Sequence, residues 1–156
     1  VNYVRIDKSS AGFTNKEDEK YVVGQARVLR EGKDLSIIAM GGITELAIQA
    51  HELLLKDNIR CKVISMNTIK PIDREAIIEC SKNTGGILTL EEHSLIGGLG
   101  SAISEVLMQE LTYPKKFKML GLKSDFTTIV GSQTYLRKQC GIDLDSIISS
   151  IYNLLS

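Results

Sequence analysis

The chain has no surplus of either charge: lysine and arginine together number 19, as do aspartate and glutamate. A balanced chain has no whole-molecule field to gather nucleic-acid phosphates or an anionic membrane, so neither partner is expected. Long apolar runs are also missing. None approaches the roughly 20 residues that cross a bilayer, and the start Val1-Asn2-Tyr3-Val4-Arg5 lacks the basic and apolar regions of a secretory signal. Cysteine is scarce. Cys61, Cys80 and Cys140 are odd in number, far apart and outside any Cys-x-x-Cys or metal spacing. That fits a reducing compartment better than a disulfide framework, so a cytoplasmic location is expected. Catalytic signatures are absent as well. There is no P-loop, no Gly-x-Ser-x-Gly elbow and no carboxylate cluster suited to a phosphate-bound magnesium.

What is present suffices for one sizeable core, because 156 residues with 43% hydrophobic content can bury it as a single domain. The first six residues, Val1-Asn2-Tyr3-Val4-Arg5-Ile6, read as a strand without an initiator methionine, the expected mark of a piece cut from something longer. Residues 7–20 are polar and charged and read as a linker. From Gly24 on, short β-rich runs trade places with segments of helical period. Strands are expected over 25–30, 35–40, 61–66, 87–91 and 116–122. Helices are expected over 43–54, over 74–81 with Asp73 as cap, from about Ser101, over 132–139, and over 145–155 with Asp143 as cap. Glu31-Gly32-Lys33-Asp34 has a turn composition and predicts a hairpin, with the first strand antiparallel to the second. The fold class is therefore α/β, three-layered, with a mostly parallel sheet covered on both faces and one antiparallel strand.

The richest junction is Glu91-Glu92-His93 followed by Ser94-Leu95-Ile96 and the turn Gly97-Gly98-Leu99-Gly100, which opens an amphipathic helix at Ser101. The carboxyl edge of an open α/β sheet is where ligands and partners bind. Glu91 and His93 are expected to share a strand face, but no third or fourth ligand completes a metal set. The glycines have two readings: a phosphate cradle, or a turn with positive φ and close backbone approach. A dinucleotide fingerprint is not met, since Ile103 stands where its third glycine would fall. Glu91, Glu92, His93, Gly97, Gly98, Gly100 and Ser101 are thus candidates for an anion site or a domain contact. Gly41-Gly42 sits at a similar junction and has the same two readings. His51 is expected at the surface or boundary of its helix, and Lys70 in solvent.

Three ordered stretches carry a family resemblance. They are Gly24-Gln25-Ala26-Arg27 running to Gly32-Lys33-Asp34, then Thr68-Ile69-Lys70-Pro71-Ile72-Asp73, then Leu88-Thr89-Leu90-Glu91-Glu92-His93 with Gly97-Gly98-Leu99-Gly100. Together they resemble the C-terminal domain of transketolases, above all the short bacterial enzymes whose halves are separate subunits. Deoxyxylulose phosphate synthases and 2-oxo acid dehydrogenase beta subunits share this domain. The resemblance implies a five-stranded sheet between helices over 21–156, with 1–20 as the end of the preceding pyrimidine-binding domain and linker. It implies an enzyme that moves a two-carbon ketol unit between sugar phosphates in the pentose phosphate pathway. Thiamine diphosphate and magnesium would be held by other domains of a homodimer, with no cofactor on this piece. The family's metal-binding Gly-Asp-Gly motif and its activating glutamate find no match here, so no catalytic, cofactor-binding or metal-binding residue is carried over. The partners implied are the remaining transketolase domains or an N-terminal subunit. The rival reading is a free-standing regulatory module binding an anion or nucleotide at the glycine turn.

Overall fold

The computed structural model describes residues 1–4, 19–111, 113–114 and 116–156. Strands β1 (Arg27–Arg30), β2 (Leu35–Met40), β3 (Cys61–Ser65), β4 (Ile87–Ser94) and β5 (Phe117–Leu122) form one sheet in the order β1-β3-β2-β4-β5. Helices α1 (Thr44–Leu54), α2 (Arg74–Asn83), α3 (Leu99–Gln109), α4 (Gln133–Gln139) and α5 (Leu144–Leu155) follow or separate them. The sheet is parallel except for β1, which pairs antiparallel with β3.

That last pairing corrects the expected hairpin. The antiparallel strand exists, but its neighbour is β3, not β2. The connection through Gly32 crosses the entry to β3, where a side chain on Gly32 would collide with the Arg60 carbonyl and the Cys61 backbone. β2 is left to pair on both edges with parallel strands, which places it at the sheet centre. Val1–Val4 lies exposed and in no strand. The remainder of that expected strand, and the linker as far as residue 18, fall outside the described residues.

The alternation of the central strands divides the core in two. Leu35, Ile37 and Ala39 of β2, with Val63 and Leu88, meet Ala47, Ala50 and Leu54 of α1 and Ile147 and Ile151 of α5. On the other side Ile38, Ile64 and Ile87 meet Ile77 and Cys80 of α2 and Ile103, Val106 and Leu107 of α3. Lys62 points to this second side, where its Nζ reaches Glu79 of α2 at 2.6 Å. Asp73 and Asp143 cap α2 and α5 as expected, accepting from Ala76 and Ser146, and Ser132, expected as the first residue of its helix, caps α4 by accepting from Tyr135. Gly141, at φ +68°, takes the left-handed turn between α4 and α5 that a side chain would resist.

His51 departs from its expected surface or boundary place. It is 5% exposed, and its Nδ1 lies 2.6 Å from the Cys61 carbonyl oxygen, so it ties α1 to the first residue of β3.

Candidate functional site

β4 ends at the carboxyl edge of the sheet, and its last residues have three separate fates. Glu91 is 2% exposed. Its Oε2 accepts from Leu99 N at 2.7 Å and its Oε1 from Gly100 N at 2.9 Å. These amides belong to the first turn of α3 and have no partner within the helix. Gly98, the N-cap, has no side chain to serve them. The strand therefore caps the following helix with a carboxyl group, at the end where the helix dipole favours negative charge.

The glycines make room for this arrangement, each in its own way. Gly97 has φ +77° with open space beside it, so it serves the turn's conformation. Gly98 is extended, at φ −93°, but a Cβ there would strike Glu91 Oε2 and stand 2.5 Å from the Ser94 carbonyl. A Cβ on Gly100 would come within 2.5 Å of Met119 Sδ and 2.8 Å of Thr89 Oγ1. Ser101 closes the loop, donating from Oγ to Leu95 O at 2.7 Å and accepting from Gly97 N at 3.1 Å.

Glu92 faces the C-terminal helices. Arg137 of α4 grips it with Nε at 2.7 Å and Nη2 at 2.9 Å, and Gln133 Nε2 adds a bond at 3.1 Å. His93 is exposed, with Nδ1 3.1 Å from the Ser94 carbonyl. Glu91 and His93 end in different surroundings, one side chain buried and the other in solvent, where the β4–β5 pairing is irregular between Leu90 and Ser94.

The structure thus brings together Glu91 with Gly98, Leu99 and Gly100, and Gly97 with Ser101, but it sends Glu92 to α4 and His93 outward. The second stretch that carried the resemblance is structural too. Asp73 accepts from Ala26 N through Oδ2 at 2.7 Å besides capping α2, and Thr68 Oγ1 accepts from Gly24 N at 2.9 Å. The two side chains fasten the entry to β1 against the loop after β3.

One cavity the sequence did not single out as a whole opens at the ends of β2 and β3. It measures about 330 Å³ and is lined in part by Arg27, Met40, Gly41, Thr44, Ser65 and Asn67. Only the Gly41-Gly42 pair signalled it in advance.

The residues present do not fit the thiamine diphosphate and divalent metal of transketolases. Among the described residues, no three His, Cys, Asp or Glu side chains stand close enough to hold a metal ion. The one buried acid of the junction, Glu91, is spent on α3.

Residues 24–147 match the family model for the transketolase C-terminal domain. Over 152 residues the chain is 32% identical to a 6-deoxy-6-sulfo-D-fructose transketolase subunit of a Clostridium species, covering 97% of this chain and 46% of that protein. Against a putative transketolase C-terminal section of Methanocaldococcus jannaschii it is 35% identical over 151 residues, covering 96% and 46%. A solved split-gene transketolase, described as an inactive beta4 tetramer, superposes with a TM-score of 0.87 at 34% identity, over 95% of this chain and 48% of that one. The chain thus spans about half the length of the curated relatives it matches. Its five-stranded mixed sheet is the fold of that solved relative, and with its glycine turn closed by its own strand carboxylate, the chain belongs to the transketolase C-terminal domain family.

Proposed function

We propose that this chain is the C-terminal portion of a split, thiamine diphosphate-dependent transketolase, an assembly domain that does no chemistry itself. The observation that supports this reading is how Glu91 and Glu92 are used: both acids at the carboxyl edge of β4 hold helices of their own domain. Besides polar residues, this part of the chain exposes His93 and several large apolar side chains. Ile96 is 75% exposed, and Phe126 and Val130, in the segment that leads from β5 to α4, are 98% and 94% exposed. Leu95 N donates to Leu122 O at 3.0 Å, which joins the glycine-turn segment to the end of β5 where that segment starts. Large apolar side chains exposed to this degree suit burial against another domain.

In this reading residues 1–20 are the end of the preceding pyrimidine-binding domain and its linker, and 21–156 are the third domain. The partner is an N-terminal subunit or the remaining transketolase domains, in a homodimeric cytoplasmic enzyme that takes its cofactor and magnesium from those other parts. The reaction class is transfer of a two-carbon ketol unit between sugar phosphates. The pentose phosphate pathway is the finer part of the proposal, since the Clostridium relative is named for a sulfo-sugar.

The test is transketolase activity and thiamine diphosphate calorimetry on the 156-residue chain, with and without the upstream region and N-terminal subunit added back. The expected result is no cofactor binding by the chain by itself and activity only on reconstitution. Tight cofactor binding by the isolated chain would sink the reading.

A further inference from the structure

β1 runs antiparallel to its neighbour, and that decides where the chain enters the sheet. Arg27, its first residue, stands opposite Ser65, the last of β3. Residues 19–26 therefore arrive at the carboxyl edge of the parallel strands, beside the cavity at the ends of β2 and β3. The later half of this approach is pinned. Gly24 N donates to Thr68 Oγ1 at 2.9 Å and Ala26 N to Asp73 Oδ2 at 2.7 Å. Gly24 itself turns the chain at φ +83°, a conformation that side chains resist.

Residues 19–23 are held in another way. Lys20, Tyr21, Val22 and Val23 are exposed, so this stretch buries little apolar surface of its own. It is fastened through Arg27 of β1. Arg27 donates from Nε to Glu19 Oε1 at 2.8 Å and from Nη2 to Glu19 Oε2, and its Cζ lies 4.8 Å from the centre of the Tyr21 ring. The Arg27 and Glu19 side chains are 10% and 26% exposed, so this two-pronged pair is better shielded than a surface ion pair. Tyr21 and Arg27 also line the 330 Å³ cavity, together with Met40, Ser65 and Met66. Ser65 is buried.

We infer that residues 19–23 form a strap that closes one side of this cavity, hinged at Gly24 and latched by the grip of Arg27 on Glu19 and Tyr21. A segment with little burial and a few polar contacts opens at a lower free energy than the global core. Release of the latch swings the strap away from the ends of β2 and β3 and opens the cavity to solvent, while Asp73 still holds the entry to β1. The fold thus carries a closed and an open form of one cavity, and the latch sets their balance. This inference does not rest on the proposed assembly role, and its test needs no catalytic activity.

The test uses the 156-residue chain carrying Ser65→Cys and Cys140→Ser, so that the introduced thiol reports on the cavity while Cys61 and Cys80 report on the two cores. Glu19→Gln removes the charge from the latch with little change of shape, and Tyr21→Ala removes the ring. Alkylation at position 65 by iodoacetamide is expected to speed up about tenfold in Glu19→Gln, the worth of one hydrogen bond to a charged group, and by less in Tyr21→Ala. Cys61 and Cys80 should stay unmodified throughout. Amide exchange gives the second readout. Protection of Gln25, whose N donates to Val22 O at 3.1 Å, should fall about tenfold in Glu19→Gln, and that of Ala26, held by Asp73, should stay. Equal alkylation rates with and without the latch, equal loss of protection at Gln25 and Ala26, or modification of Cys61 together with position 65 would overturn the inference.

Discussion

At the residue scale the decisive side chain is Glu91. A carboxyl group at 2% exposure is costly to bury unless its oxygens are paired, and here both oxygens meet backbone amides that would otherwise be orphaned. Donor and acceptor are thus satisfied together. Glu91→Ala should leave Leu99 N and Gly100 N buried without a partner and cost about 2–3 kcal/mol in urea unfolding. Gly98→Ala is expected to destabilise by a similar amount through the same contact, since its Cβ would displace Glu91 Oε2. Gly100→Ala should cost less. There the obstacles are the end of the flexible Met119 side chain and the Thr89 hydroxyl, and alanine in a helix recovers about 1 kcal/mol relative to glycine. If all three variants unfold at the wild-type urea concentration, Glu91 is not the cap described here.

At the scale of elements, α4 is the helix with least of its own to bury. It has seven residues, none of them fully buried, and it is held by its Ser132 cap and by the Glu92 clamp. The arginine–carboxylate contact is bidentate but only partly shielded, with side chains 15% and 27% exposed. A double-mutant cycle on Glu92→Ala and Arg137→Ala should give a coupling of about 1 kcal/mol or less. The more sensitive readout is amide hydrogen exchange. In Arg137→Ala, protection should fall across 133–139 while β4 and α5 keep theirs. Uniform loss of protection would mean that α4 belongs to the global core.

The helices were legible in sequence because their cues are local. Asp73 and Asp143 cap where expected, Ser132, expected as the first helical residue, caps α4 instead, and the apolar period of 147–155 appears as a core face. β2 was also legible to the residue, at Leu35–Met40. The end of β4 was not, since the strand runs on to Ser94 past polar residues held by pairing with β5.

For the molecule as a whole, the sheet separates two cores that each contain a cysteine. Cys61 lies on the α1–α5 side and Cys80 on the α2–α3 side, while Cys140 is exposed. Burial pushes the Cys61 thiol up to about 12, with Asp34 adding to the effect, and it raises Cys80 as well. Alkylation requires the thiolate and access to it, so both should stay unmodified at pH 8 in the folded protein. Treatment with iodoacetamide is expected to modify Cys140 alone. Under mild urea, Cys61 and Cys80 should then become reactive together if the two cores open as one cooperative unit. Separate rates would show that one face of the sheet opens first.

The sequence by itself determined the alternation of strands and helices, the caps, the covered sheet and the family resemblance, since each rests on short-range pattern or on ordered motifs. Tertiary structure decided what no local pattern contains. β1 lies against β3 because the Gly32 connection crosses the entry to β3, and His51 is buried because its ring meets the Cys61 carbonyl. The two glycine turns look alike in sequence. They differ because parallel register sets Glu91 opposite Met40, so that one helix start receives a carboxylate from its own strand and the other has no side-chain cap.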